Sequence, residues 1–205
     1  MNYIITIIFL VFCNLKGYSQ NWRYVPSKKV YENLDEAIKA KEKVYNLKIY
    51  NEEISKKDLN KIAQFDSLQF LYLEKCKLKD LPDEIFKLPN LRSLFLDYNL
   101  FTEVPKGIKF CKTLEYLSIH HCTISLIPKE IGALQNLKDF YVGDNKISLL
   151  PAEIGMLGRL RKFSVPNNQI ENLPFEIGNL TSLTSLNFGA NSLQTIPASI
   201  GNLLI

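Results

Sequence analysis

Hydrophobic and polar positions along this chain follow two periods, one nested in the other. The long period is 23 residues: Leu68, Leu91, Leu114, Leu137, Leu160 and Leu183 each open a copy of the same phrase. In the copy that starts at Leu114 the apolar letters are Leu114, Leu117, Ile119, Cys122, Ile124, Ile127, Pro128, Ile131 and Leu134. Within each copy, positions 4 and 6 alternate with variable residues at 3 and 5, the period of a strand with one face buried. In the copy from Leu91 the inward set is Leu91, Leu94 and Leu96. Position 15 is proline in six copies: Pro82, Pro105, Pro128, Pro151, Pro174 and Pro197. A proline fixes φ and suits the start of a short 3₁₀ or single-turn segment. Ile85, Ile108, Ile131, Ile154, Ile177 and Ile200 follow at position 18 and return to the core. Position 9 is Asn99, Asn145, Asn168 and Asn191, with Cys76 and Cys122 in the same slot of two earlier copies. A buried asparagine must satisfy its amide, and the backbone of its own turn and the adjacent one supplies the partners. The expectation is an asparagine ladder at the exit of each strand.

Repetition at a fixed period of this length produces a stack, not a globule: each unit packs on its neighbours and there is no single central core. The phrase Leu-x-x-Leu-x-Leu-x-x-Asn/Cys-x-Leu-x-x-Leu-Pro-x-x-Ile-x-x-Leu resembles the leucine-rich repeat, in the short form seen in secreted bacterial proteins. The resemblance implies an α/β fold. That fold is a leucine-rich-repeat solenoid with a parallel concave β-sheet and short 3₁₀ or helical convex segments. It also implies a binding class of activity, without naming a ligand. Seven repeats are read, at 44–67, 68–90, 91–113, 114–136, 137–159, 160–182 and 183–205. The first is irregular. Val44, Leu47, Ile49, Ile54, Ile62 and Phe65 keep the pattern, but Glu52 stands in the asparagine slot and the proline is missing. Terminal repeats are commonly atypical.

Residues 20–43 read as a helical N-terminal cap. Asn33 followed by Glu36 resembles a capping box, and a short helix is expected from about Leu34 to Glu42, with Trp22, Tyr24, Val25 and Tyr31 packed around it. Residues 1–19 read as a signal peptide. Ile4 to Cys13 is apolar, and the small residues Gly17 and Ser19 suit cleavage before Gln20. That run is about half of the roughly 20 residues a spanning helix needs, and Phe12 ahead of Cys13 disfavours acylation there. The expected location is therefore outside the cytosol, secreted, at the cell surface or periplasmic, with no membrane insertion after leader cleavage. At the other end Leu203, Leu204 and Ile205 follow the last repeat with no polar cap, which points to a fragment of a longer protein.

Composition changes this picture little. The net charge is +4, and removing Lys16 with the leader leaves 24 basic against 21 acidic residues, or +3. No Lys/Arg run exceeds two residues, so no nucleic-acid footprint is expected. Beyond the leader three cysteines remain, Cys76, Cys111 and Cys122. Cys76 and Cys122 occupy equivalent slots two repeats apart, near 10 Å at normal strand spacing, too far for a disulfide. All three are expected as small buried hydrophobes. Gly132, Gly155, Gly178 and Gly201 lack the strand and Gly-Lys-Ser/Thr context of a phosphate loop and read as close packing on the convex side. The Asn179 sequon is given no role.

Function must then lie in the outward strand positions, which vary without harming the fold. Position 5 reads Lys48, Tyr72, Phe95, Ser118, Tyr141, Ser164 and Asn187; position 3 reads Asn46, Phe70, Ser93, Tyr116, Asp139, Lys162 and Ser185. Positions 7 and 8 add Tyr50, Glu74, Asp97, Tyr98, His120, His121 and Asp144. Aromatics concentrate in repeats two to five, so Phe70, Tyr72, Phe95, Tyr98, Tyr116 and Tyr141 are expected to form one concave patch. Such residues dominate interface hot spots, although strands also favour them for cross-strand pairing. Asp97, Ser118, His120, His121 and Asp144 complete the candidate partner-binding set. Ser118, His120 and Asp97 superficially resemble a triad, but an open sheet offers no closed pocket or oxyanion hole. The expectation is a polar pairing of His120 with Asp97, with no catalytic residue, metal or cofactor. Three readings follow: an exported binding module for a protein or peptide, with a glycan as second ligand class; a scaffold array of a larger surface protein; or the targeting domain of an enzyme whose catalytic part lies elsewhere.

Overall fold

The computed structural model describes residues 28–203. The expected leader, the cap residues Trp22, Tyr24 and Val25, and the apolar end at Leu204 and Ile205 lie outside the described residues. Among the described residues eight parallel strands form one sheet in strictly sequential order: β1 (Val30–Tyr31), β2 (Asn46–Tyr50), β3 (Phe70–Glu74), β4 (Ser93–Phe95), β5 (Tyr116–Ser118), β6 (Asp139–Tyr141), β7 (Lys162–Ser164) and β8 (Ser185–Asn187). The register is the repeat itself. Tyr72, Phe95, Ser118 and Tyr141 lie opposite one another on successive strands, as do Phe70, Ser93, Tyr116 and Asp139. Inward residues such as Leu71, Leu94, Leu117 and Phe140 are fully buried, and Ile85, Ile108, Ile131, Ile154 and Ile177 meet them from the convex side.

The convex segments begin after the prolines. In repeat two this is a short helix, α3 (Asp83–Phe86), and from repeat three onward it is a 3₁₀ turn: Lys106–Phe110, Lys129–Ala133, Ala152–Met156, Phe175–Asn179 and Ala198–Asn202. The first repeat carries a longer helix, α2 (Lys56–Ile62), capped by Ser55, whose hydroxyl accepts from the Asp58 backbone N–H. Ahead of it lies the cap helix α1 (Leu34–Lys39), whose N-cap Asn33 accepts from the Glu36 N–H. It ends three residues earlier than the sequence suggests. Ala40 turns to extended backbone there, so the chain can cross to β2. The cap strand β1 is tied to the array by Asn46, whose amide donates to the Lys28 and Lys29 carbonyls.

The asparagine ladder is present and does more than fill space. Asn99 donates to the Leu73 and Leu96 carbonyls at 2.6 and 2.8 Å and accepts from the Cys76 and Leu78 N–H groups. Asn145 donates to Ile119, Val142 and Gly143 and accepts from Ile124. Asn168 and Asn191 repeat the scheme. The cysteines imitate the donor half of it: Cys76 Sγ donates to the Ile49 and Glu74 carbonyls, and Cys122 Sγ to Leu96 and His120. All three described cysteines are free thiols; Cys76 and Cys111 are buried and Cys122 is half-buried. Burial pushes the Cys76 and Cys122 thiols up to about 11 and Cys111 up to about 12, so they are protonated donors at neutral pH.

Just before the ladder, the residue at position 8 of every repeat adopts a positive φ: Asn51, Lys75, Tyr98, His121, Asp144, Asn167 and Ala190, between 51° and 58°. For an L-residue this left-handed corner costs roughly 1–2 kcal/mol, and it is offset by the ladder hydrogen bonds that follow.

Convex packing uses glycine as a socket. A Cβ on Gly155 would lie 2.4 Å from the Glu176 carbonyl, and one on Gly178 2.3 Å from that of Ser199. Gly132 faces Glu153 in the same way. One repeat junction reverses the arrangement. Phe86 fills the site that glycine occupies later, and the room comes from Gly107 in the next repeat, whose Cβ would sit 2.6 Å from the Phe86 ring.

Candidate functional site

The sheet brings most of the sequence-level candidates together in two rows. The first is a ring stack across the strands. Tyr72 stacks on Phe95 with centroids 4.2 Å apart, Phe95 meets Tyr116 at 4.7 Å, and Tyr116 meets Tyr141 at 5.3 Å. The row zigzags for a steric reason. Position 5 of repeat four is the small Ser118, so Tyr116 at position 3 leans across and fills the gap between Phe95 and Tyr141. Phe70 and Tyr72 are only 8% and 4% exposed. The expected open aromatic patch is therefore corrected: Phe95, Tyr116 and Tyr141 are half-exposed, and the first two aromatics of the set are buried. Burial raises the Tyr141 hydroxyl to about 12 and raises those of Tyr72 and Tyr116 further, so the row is uncharged at any physiological pH.

Tyr98 stands outside that stack and belongs to a second row, built on the left-handed corners. Lys75 holds its ammonium 5.1 Å from the Tyr50 ring and 5.2 Å from the Tyr98 ring, and donates to the Tyr50 hydroxyl at 2.8 Å. Tyr98 stacks on His121 at 4.4 Å. His121 Nε2 lies 3.5 Å from the Asp144 carboxylate, and Asn167 donates to Asp144 at 2.8 Å. One side chain per repeat thus forms a continuous ladder along the strand-exit edge of the concave face. Tyr98 is its most open ring, at 48% exposure. Lys75 and Asn167 were not legible as members, because the position-8 residues share a backbone conformation and no side-chain chemistry.

Between the rows lie the acidic and imidazole groups. Asp97 accepts from the Ser118 hydroxyl at 2.7 Å and from the His120 backbone N–H at 2.6 Å. The expected Asp97–His120 pairing is thus present, through the His120 backbone N–H and through the electrostatic interaction of carboxylate and imidazole, and a second histidine and carboxylate, His121 and Asp144, lie 3.5 Å apart. The His120 imidazole packs against Gly143, where a Cβ would lie 2.9 Å from Nδ1. Burial lowers the His120 imidazole, opposed by the Asp97 carboxylate and the Gly143 carbonyl. Burial likewise raises the Asp97 carboxyl, opposed by His120 and its hydrogen bonds. Ser118 gives its proton to a carboxylate and not to an imidazole, so the grouping lacks the hydroxyl-to-base contact of a nucleophile. Among the described residues no three His, Cys, Asp or Glu side chains are placed to hold a metal ion.

Glu74, on the strand before Asp97, is the member the sequence reading left outside the site. Its carboxyl is pushed up to about 6, first by burial and then by Asp97, with Lys48 and Lys75 pulling the other way. Among the described residues its carboxylate has no hydrogen-bond partner.

No helix among the described residues is long and apolar enough to cross a membrane. Two family models match the chain, a leucine rich repeat over residues 66–124 and a leucine-rich repeat region over residues 110–203. None of the curated proteins matches it by sequence. Among solved structures, a leucine-rich-repeat protein of Leptospira interrogans is 34% identical with a TM-score of 0.69, over 77% of this chain and 44% of its own. An internalin from Listeria monocytogenes is 27% identical with a TM-score of 0.69, over 78% of this chain and 45% of its own. Internalin C2 from the same organism is 24% identical with a TM-score of 0.60, over 70% of this chain and 61% of its own, and shares the fold. The chain spans less than half the length of the first two. The matched repeats, the sequential parallel sheet, the asparagine ladder and the proline-led convex turns all belong to one architecture, and the chain belongs to the leucine-rich-repeat family.

Proposed function

We propose that the chain is an exported, non-catalytic binding module that recognises a protein or peptide on the concave face of repeats two to five. The observation that carries this reading is the stacked row Tyr72–Phe95–Tyr116–Tyr141, bordered by the exposed Tyr98–His121 ladder. Rigid aromatic rings already ordered by their neighbours lose little conformational freedom on contact, and Tyr is enriched in interface hot spots. The later repeats present Ser164, Pro166, Asn187, Gly189 and Ala190 on the same face and serve as spacer. Export rests on the leader-like residues 1–19. The spent Ser118 hydroxyl supports a role without catalysis.

The test is capture of a partner from the native source by the immobilised chain. The double substitution Tyr116→Ala, Tyr141→Ala is expected to lose capture while the melting transition stays cooperative. Undiminished capture by that variant would move the site elsewhere.

A further inference from the structure

We propose that the concave face of repeats one and two is the docking surface of the chain's own segment from Gln20 to Ser27, with Trp22 and Tyr24 seated over Asn46, Phe70 and Tyr72. This rests on the concave-face reading above and sets the near end of that site. The segment closes the first two repeats, and the partner meets the ring row from Phe95 onward.

The burial of outward side chains changes abruptly along the array. Phe95 has a ring on each side, Tyr72 at 4.2 Å and Tyr116 at 4.7 Å, and is still half-exposed. Tyr72, at the same position one strand earlier, stands between Phe95 and the in-register Lys48 and is only 4% exposed. Position 3 behaves alike. Asp139, between Tyr116 and Lys162, is half-exposed. Asn46, between Val30 and Phe70, is 1% exposed. Strand neighbours shield the flanks of an outward side chain and leave its tip in the groove. In repeats one and two the tips are shielded as well, so the cover lies on the groove side.

Asn46 shows where that cover comes from. It stands at an outward position, and its Nδ2 donates to the Lys28 and Lys29 carbonyls at 3.0 and 3.1 Å. The backbone ahead of β1 therefore arrives on the concave side of β2. Asn46 Oδ1 is buried and has no hydrogen-bond partner among the described residues. A buried amide oxygen calls for a donor. The stretch of chain that leads into Lys28 ends at Ser27, and its backbone N–H groups are donors of that kind.

Reach and composition suit the same path. Eight extended residues cover about 26 Å, against about 10 Å from β1 to β3 at a strand spacing of about 4.8 Å. The segment carries Trp22, Tyr24 and Val25 and a single charge, on Arg23. Its rings on Phe70 and Tyr72 extend the aromatic row toward the cap. Helix α1 is the other apolar bed within reach, and its Ile38 is 44% exposed, so it is not the surface that is covered.

Trp22 is the single tryptophan of the chain, so the intrinsic fluorescence of the full chain reads its surroundings directly. In folded wild type the emission is expected to lie to the blue of the urea-unfolded chain, with acrylamide quenching reduced several-fold. Tyr72→Ala is expected to move the emission to the red and restore most of the quenching. Phe70→Leu, a milder change on the same surface, is expected to do so in part, and it decides the matter if Tyr72→Ala does not melt cooperatively. Ile38→Ser on α1 is expected to leave both readings unchanged. Free quenching of Trp22 in folded wild type overturns the proposal. So does an emission that ignores Tyr72→Ala and Phe70→Leu, or one that follows Ile38→Ser instead. None of those results touches the concave-face reading, which stands or falls on capture through Tyr116 and Tyr141.

Discussion

Asn145 shows how much of this fold is held by single side chains. Its amide donates to three carbonyls on two repeats and its oxygen receives the Ile124 N–H. Replacing it by Ala removes the printed partner of the Ile119 carbonyl and of the Ile124 N–H, at about 1–3 kcal/mol each, while the Val142 carbonyl keeps Asn168 and the Gly143 carbonyl keeps the His121 N–H. The expected loss for Asn145→Ala is about 2–4 kcal/mol, read as a drop in the urea midpoint at unchanged slope. Glu74 makes a different prediction, about pH. Its folded value of about 6 lies above the ordinary 4.5, so the native state holds more protons than the unfolded state between those values. Stability from this group is thus present at low pH and is lost as the pH rises through the window. Glu74→Gln should unfold at higher urea than wild type above pH 6, with the gap closing below about pH 4.5. The same two positions mark what a sequence can reveal at this scale. The asparagine ladder was legible because the letter recurs. The left-handed corners were not, because Lys75, Tyr98, His121, Asp144 and Ala190 have nothing in common except their place. The Asp97–His120 contact was legible as a polar pairing, but not its route through the His120 backbone N–H, because strand alternation ends at position 6.

At the scale of elements, strand and convex turn are coupled through the proline and the isoleucine three residues later. The strand positions, the prolines and the inward isoleucines were all readable from the 23-residue period. Close packing at the convex glycines was readable from the sequence, but not which neighbour each one receives. The reversed junction of Phe86 and Gly107 makes the point, since there the large side chain stands where later repeats have glycine and the glycine stands on the facing repeat. This gives a paired test. Gly155→Ala drives a methyl into the Glu176 backbone and should lower the melting temperature by several degrees, the effect of an overpacked contact of about 1–3 kcal/mol. Gly158→Ala meets nothing within 4 Å and should be neutral or gain about 0.4–1 kcal/mol from a stiffer unfolded chain. Calorimetric scans of the two variants against wild type separate the cases. The early end of α1 was beyond the pattern, because the turn at Ala40 answers to the position of β2 and not to local propensity.

For the whole molecule, each repeat buries its apolar face only against its neighbours, so the array stands as one coupled unit whose concave surface is the part free to vary. The ring row and the ladder at the strand exits occupy that surface in repeats two to five, where the proposed partner protein or peptide makes its contact. Site-specific photocrosslinking tests this most directly. Benzoylphenylalanine is placed at Tyr141 on the concave face or at the exposed convex residue Phe175, and each full-length variant is irradiated with material from the native source. A covalent adduct of one partner is expected from Tyr141 and none from Phe175, with the Tyr141 adduct competed away by unlabelled wild type. An adduct from Phe175 with none from Tyr141 would contradict it.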